Sequence, residues 1–241
     1  MSVFASPYFP TDGLCFYVDA VNTKSYAGTG TAFREMVSTY TASASVGGGS
    51  FGMVNGHLRW TPGAGANRLI TLQYPSSSIT VPTGQQGSWA WFQYWEDQGD
   101  IDHPVMGKET GSTWKGENGF VFGTGWSTDG PRWGIGGTEY QVYQVTAYAA
   151  NVWQCWIITY NGGSGNNANG LKTYLNSALV DSRTAVAATI GSNANNLIIG
   201  ATNTRTGNWG GYLDGVMMWN RELSTAEVIR VYDAFRGRYG L

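Results

Sequence analysis

The chain has 241 residues, only 12% of them charged, and a formal net charge of −2. That near-neutral balance excludes the clustered Lys and Arg of a nucleic-acid surface. An aromatic content of 14% excludes a disordered chain, and no apolar run approaches the ~18 residues of a membrane span.

The first residues, Met1 to Pro7, carry no basic stretch followed by an apolar run, so no signal peptide is expected. Asn-x-Ser/Thr sequons are absent as well, and folding in a reducing cytosol is the expectation. The two cysteines, Cys15 and Cys155, lie in apolar segments and read as buried free thiols rather than a disulfide. Residues 1–12 form an apolar arm with Phe4, Tyr8 and Phe9 as anchors. Extended, it lies along a neighbouring subunit or folds back on its own domain. Residues 13–241 read as one domain.

Short apolar runs between Gly, Asn, Ser and Asp then recur, the pattern of an antiparallel sandwich or barrel. Strands are expected at Leu14–Val18, Arg68–Leu72, Ser88–Trp95, Gly119–Phe122, Trp133–Ile135 and Gln141–Tyr148. Further strands follow at Trp153–Tyr160, Leu171–Leu175, Ala178–Asp181, Leu197–Ile199 and Tyr212–Trp219. Ser88–Trp95 has bulky residues on both parities, which predicts cover on both faces. Asn176-Ser177 reads as a two-residue hairpin turn with positive φ. The stretches Gly47–Ser50 and Gly162–Gly170 read as loose connections.

Near the end, Ser224 and Glu227 make a capping box, with Leu223 and Val228 placed as a hydrophobic staple. Val228, Val231, Tyr232 and Phe235 repeat at helical spacing, and Gly237 reads as the C-terminal stop. Arg230, Arg236 and Arg238 read as a solvated helix face.

Catalytic patterns are missing. Glycoside hydrolysis needs two carboxylates flanking the scissile bond, and no Glu-x-Asp-x-Glu spacing occurs. His57, in a Gly-rich turn, and His103, in an acidic loop, have no nucleophile elbow nearby and read as surface residues. Gly165–Gly170 fails as a phosphate loop because Leu171 precedes Lys172-Thr173. Clustered Cys and His for zinc are absent.

Two binding options remain. The acid cluster Glu96, Asp97, Asp100 and Asp102 is either a solvated loop or a calcium site, because calcium takes carboxylate and carbonyl oxygens. Eleven tryptophans are in excess. Trp89, Trp91, Trp153, Trp156 and Trp219 fall on core strands. Trp114 and Trp126 sit among Gly, Ser and Thr, where an indole serves sugar stacking, a protein interface or ordinary packing.

The segment Asn208-Trp209-Gly210-Gly211-Tyr212-Leu213-Asp214-Gly215-Val216-Met217-Met218-Trp219-Asn220-Arg221-Glu222-Leu223-Ser224-Thr225-Ala226-Glu227 resembles the last strand and following helix of laminin G-like, concanavalin A-like domains. Trp153 to Asn161 resembles the family's tryptophan-led strand, and Asn196 to Gly200 its apolar strand closing on glycine. Lys172 to Ser177 resembles the strand that ends in Asn-Gly, with Ser177 in place of the glycine. Gly13 to Ala20, with Asn22, Lys24-Ser25-Tyr26 and Gly28-Thr29-Gly30-Thr31, resembles the opening of such domains in structural proteins of tailed bacteriophages. Glu35-Met36-Val37 stands where the family usually carries Asp-Leu-Ser.

The resemblance implies an all-β, two-sheet antiparallel jelly roll with one short C-terminal helix, and a structural position for Asp214. It also implies a non-enzymatic virion structural protein: a capsid decoration, fibre or tail-associated module. Its partners are then viral capsid or tail proteins, with host-surface glycans and a second copy of the chain as further options. A lectin-like carbohydrate-binding module is the alternative.

Overall fold

A computed structural model describes residues 8–46, 49–61, 70–78, 80–84, 86–96, 103–111, 115–124, 131–141, 149–162, 170–183, 189–201 and 209–241. In chain order the strands are β1 (Leu14–Val18), β2 (Ala32–Arg34), β3 (Thr41–Val46), β4 (Ser50–Val54), β5 (His57–Thr61), β6 (Ile70–Tyr74), β7 (Gln86–Trp95) and β8 (His103–Lys108). Then follow β9 (Phe120–Thr124), β10 (Pro131–Ile135), β11 (Thr138–Gln141), β12 (Trp153–Asn161), β13 (Leu171–Leu175), β14 (Ala178–Arg183), β15 (Leu197–Ile199) and β16 (Gly211–Trp219). One helix, α1 (Thr225–Phe235), closes the chain with a 3-10 turn at Arg236–Arg238.

The strands make two antiparallel sheets of eight. The first runs β14-β13-β12-β7-β16-β5-β4 with β1 also on β16, and the second runs β11-β10-β9-β8-β15-β6-β3-β2. The expected two-sheet sandwich is therefore the observed one. Its core lies between the sheets, where Trp89, Trp91, Trp156, Ile158 and Met218 of the first meet Val105, Phe120, Phe122, Trp133 and Ile199 of the second.

The outer face of the first sheet is covered as well. Val228, Val231 and Phe235 of α1 bury Tyr17, Phe92, Cys155, Ile157, Met217 and Trp219 beneath them. That second layer explains the bulky residues on both parities of β7. In β16 a bulge keeps both layers in register: Gly215, at φ +56, inserts one extra residue between Asp214 and Met217. Leu213, Val216 and Met218 then face the inner core, and Met217 and Trp219 face the helix.

The capping box forms as expected: Glu227 N–H donates to the Ser224 hydroxyl, and Ser224 N–H donates to Glu227 Oε2. The Arg221 guanidinium, bonded to Glu227, holds that carboxyl down at about 2. The C-terminal stop differs from expectation. Gly237 lies inside the 3-10 turn, and α1 ends because the Arg236 carbonyl accepts from Tyr239 and Leu241 instead of continuing the helix.

Asn176 and Ser177 have φ values of +50° and +67°, so the expected hairpin turn joins β13 to β14. Both cysteines are free and buried. Burial pushes the Cys15 thiol up to about 12 and also raises Cys155 well above its ordinary range.

Strands β2, β3, β4, β5 and β8 were not legible as strands. β3 (Thr41-Ala42-Ser43-Ala44-Ser45-Val46) is built of small residues and lacks the bulky alternation that marks a pleated face. His57 is the first residue of β5, because Asn55-Gly56 at φ +53° and +81° is a tight hairpin turn that ends one residue earlier. His103 begins β8 rather than sitting in a loop. The β6 strand starts at Ile70, and most of the Gln141–Tyr148 and Gly162–Gly170 segments lies outside the described residues.

Candidate functional site

The helix is too short for the sheet it covers. Eleven residues span ~16 Å, whereas the nine- and ten-residue strands beneath reach ~30 Å. At the uncovered end, four side chains stand abreast on four adjacent strands. Trp153 of β12 pairs with Tyr94 of β7, Tyr94 with Tyr212 of β16, and Tyr212 with Arg59 of β5. Each of the four is half-buried.

Their rings do not lie flat. Trp153 and Tyr94 sit 5.9 Å apart at 63°, Tyr94 and Tyr212 5.4 Å apart at 87°, and Trp153 and Tyr212 5.8 Å apart at 49°. The tilted rings wall a cavity of about 210 Å³, completed by Val54, Asn55, His57 and Glu96. Val54 and Val152 are exposed beside it.

His57 is no surface histidine. Its side chain is only 16% exposed, and it packs against Trp153 at 4.7 Å and Tyr239 at 5.3 Å. Its Nδ1 lies 3.0 Å from Oδ2 of the fully buried Asp214. A carboxylate can only accept, so Nδ1 carries a hydrogen in this bond.

Asp214 holds the structural hydrogen-bonding position that the resemblance implied. Burial pushes its carboxyl up to about 6 against the pull of the His57 bond, and Asp19 nearby adds to the rise. Asp19 is itself buried and accepts from the Tyr17 hydroxyl and from Arg238, each at 2.7 Å. Arg238 thus stays exposed, in the 3-10 turn after α1, while its guanidinium reaches a buried acid. Arg236 and Arg230 also stay outside, beside Asp233 and Glu227.

Beside the rings, Arg59 Nη2 donates to Glu96 Oε2 at 2.9 Å. Glu96 therefore points to the aromatic row and has a cation partner. The other acids of the proposed calcium cluster, Asp97, Asp100 and Asp102, lie outside the described residues, as do Trp114, Trp126 and Phe4. Among the described residues no group of three His, Cys, Asp or Glu side chains is placed to hold a metal ion.

The arm residues divide. Tyr8 is 72% exposed. Phe9 packs edge-on against Tyr17 at 5.9 Å and Phe235 at 5.3 Å, and the Trp219 indole N–H donates to the Pro10 carbonyl at 2.8 Å. The end of the arm thus seals the chain's own outer layer.

Reading the strands one by one missed the aromatic row. Trp153 counted as a core tryptophan because it begins a buried strand, yet it shares its face with Cys155 at the end the helix does not reach. Comparing the length of α1 with that of β7, β12 and β16 would have exposed it.

Comparison with known structures finds a similar fold in several solved proteins. Trypanosoma rangeli sialidase matches with a TM-score of 0.61 and 11% identity, covering 95% of this chain but 34% of its own. The chain thus spans about a third of that enzyme. Domain 4 of AbnA, a GH43 extracellular arabinanase from Geobacillus stearothermophilus solved with arabinotriose, matches at 0.61 and 13%, covering 91% of this chain and 98% of the domain. The binding domain of Paraclostridial Mosquitocidal Protein 1 matches at 0.57 and 13%, covering 92% and 52%. At such identities the likeness shows the fold alone. No curated protein matches the sequence. The model of one sequence family does match, over residues 70–229. The chain belongs to the concanavalin A-like lectin/glucanases superfamily.

Proposed function

We propose that this protein is a non-enzymatic recognition module that holds a glycan in the cavity at the uncovered end of its first sheet. The observation that carries this reading is the cavity walled by Trp153, Tyr94 and Tyr212 and edged by His57, Asn55 and Glu96. An aromatic face offers an apolar plane to the C–H side of a sugar, while polar neighbours meet its hydroxyls. Hydrolysis would need two carboxylates free to flank a bond. Glu96 is tied to Arg59, and Asp214 lies buried under His57 and Tyr239. The arabinanase domain solved with arabinotriose supports the reading as an analogy of fold.

On a glycan array the intact chain is expected to retain particular glycans, and Trp153→Ala or Tyr212→Ala to lose them at least tenfold. Binding that survives both substitutions removes this site from the reading. Release of reducing ends from a polysaccharide, abolished by changing one acidic residue, overturns the non-enzymatic part.

A viral setting rests on a separate observation, the likeness of Gly13 to Thr31 to the opening of phage structural domains. In this reading the chain is a structural subunit attached to a capsid or tail, and the cavity meets host glycans. The chain should then be detected by mass spectrometry in purified particles at stoichiometric amount. Its absence from them ends the viral reading and leaves the glycan reading intact.

A further inference from the structure

The lining of the cavity also discriminates by charge. Resting on the glycan reading above, we propose that the site takes one neutral sugar ring and rejects sugars that carry a carboxylate. The size sets the first half. About 210 Å³ lies below the ~300–1,000 Å³ of sites that enclose drug-sized ligands, so the cavity takes a single ring against the wall that Trp153, Tyr94 and Tyr212 form together. The rest of a chain would pass out over the exposed Val54 and Val152.

Charge sets the second half. Among the described residues that line the cavity, Glu96 brings a carboxylate. The nearby cation, Arg59, is already bonded to Glu96 and is not among the lining residues. Below the floor, Asp214 adds a second buried acid and occupies His57 Nδ1. A bound carboxylate would therefore meet the lining carboxylate of Glu96 before it met Arg59, which lies outside the lining and is ion-paired to Glu96, in a partly desolvated site where like charges are poorly screened. Hydroxyls suit the same lining: the Glu96 carboxylate accepts, and the Asn55 amide both donates and accepts.

The test uses the full chain and matched probes that differ in one group, a hydroxymethyl against a carboxylate: glucose against glucuronic acid, galactose against galacturonic acid, and mannose against mannuronic acid. They are presented on one array and then titrated by calorimetry. Each neutral member of a retained pair is expected to bind at least tenfold tighter than its acidic partner, about 1.4 kcal/mol. Glu96→Gln, which removes the lining carboxylate and loosens its hold on Arg59, is expected to narrow or reverse that ratio. An acidic sugar that binds as well as its neutral partner, and still needs Trp153, overturns the charge inference and leaves the glycan site standing. A ratio unchanged in Glu96→Gln also overturns it. Failure of every probe, or binding that survives both Trp153→Ala and Tyr212→Ala, overturns the inference and the site together. Circular dichroism of each variant separates loss of binding from loss of fold.

Discussion

Asp214 is the side chain whose behaviour departs most from its ordinary chemistry. Its carboxyl sits at about 6 in the folded protein, against about 3.9 for an exposed aspartate. The folded state therefore holds the proton more tightly than the unfolded chain. This group favours folding below pH ~4, and its contribution is lost as pH rises through about 6. Two units correspond to about 3 kcal/mol. Urea midpoints followed from pH 4 to pH 7 should show that loss, and Asp214→Asn should flatten it; equal slopes in both proteins would refute the assignment. Glu35 is another buried acid, and it is surrounded by donors. It accepts from Tyr17 N–H at 2.7 Å, from Val37 N–H at 2.9 Å, from Ser38 N–H and from the Ser38 hydroxyl at 2.5 Å. This explains how Glu35-Met36-Val37 serves where the family carries Asp-Leu-Ser: the longer side chain reaches both its own turn and β1. Glu35→Ala should cost about 3 kcal/mol in chemical denaturation by orphaning these donors, and Glu35→Gln, which keeps one acceptor oxygen, should cost less.

Among the elements, α1 was the most legible and the arm the least. The box of Ser224 and Glu227 and the repeat of Val228, Val231 and Phe235 are local patterns, each complete within one turn or two of chain. They needed no partner to be recognised. Residues 8–12 have no such pattern, and nothing in Tyr8-Phe9-Pro10 says which surface Phe9 meets. In the fold Phe9 fills the space between Tyr17 and Phe235, residues 8 and 226 positions away. Phe9→Ala should therefore lower stability by about 2 kcal/mol, roughly half the cost of removing a fully buried phenylalanine, and should do so without any partner protein. An unchanged melting temperature would return Phe9 to the role of an external anchor.

For the molecule as a whole, the two sheets share one core. Trp133 of the second sheet contacts Trp91 at 5.7 Å and Trp156 at 5.8 Å across the sandwich, and its indole N–H donates to Thr173 of β13. Trp133→Ala should cost about 4 kcal/mol. Near-ultraviolet and far-ultraviolet signals should still melt together, because the core between the sheets draws side chains from both; separated transitions would mean that the sheets fold independently. The all-β class, most of the longer strands, the Asn176-Ser177 turn and the final helix were determined by the sequence itself. They depend on alternation, turn chemistry and capping between near neighbours. The sequence also carried the tyrosines, tryptophan and histidine of the cavity, but only as members of four separate strands. Their meeting was decided by tertiary structure: the antiparallel register sets Trp153, Tyr94, Tyr212 and Arg59 abreast, and an eleven-residue helix ends before it covers them. Register between distant strands is a property of the closed sheet, and no local pattern in the chain encodes it.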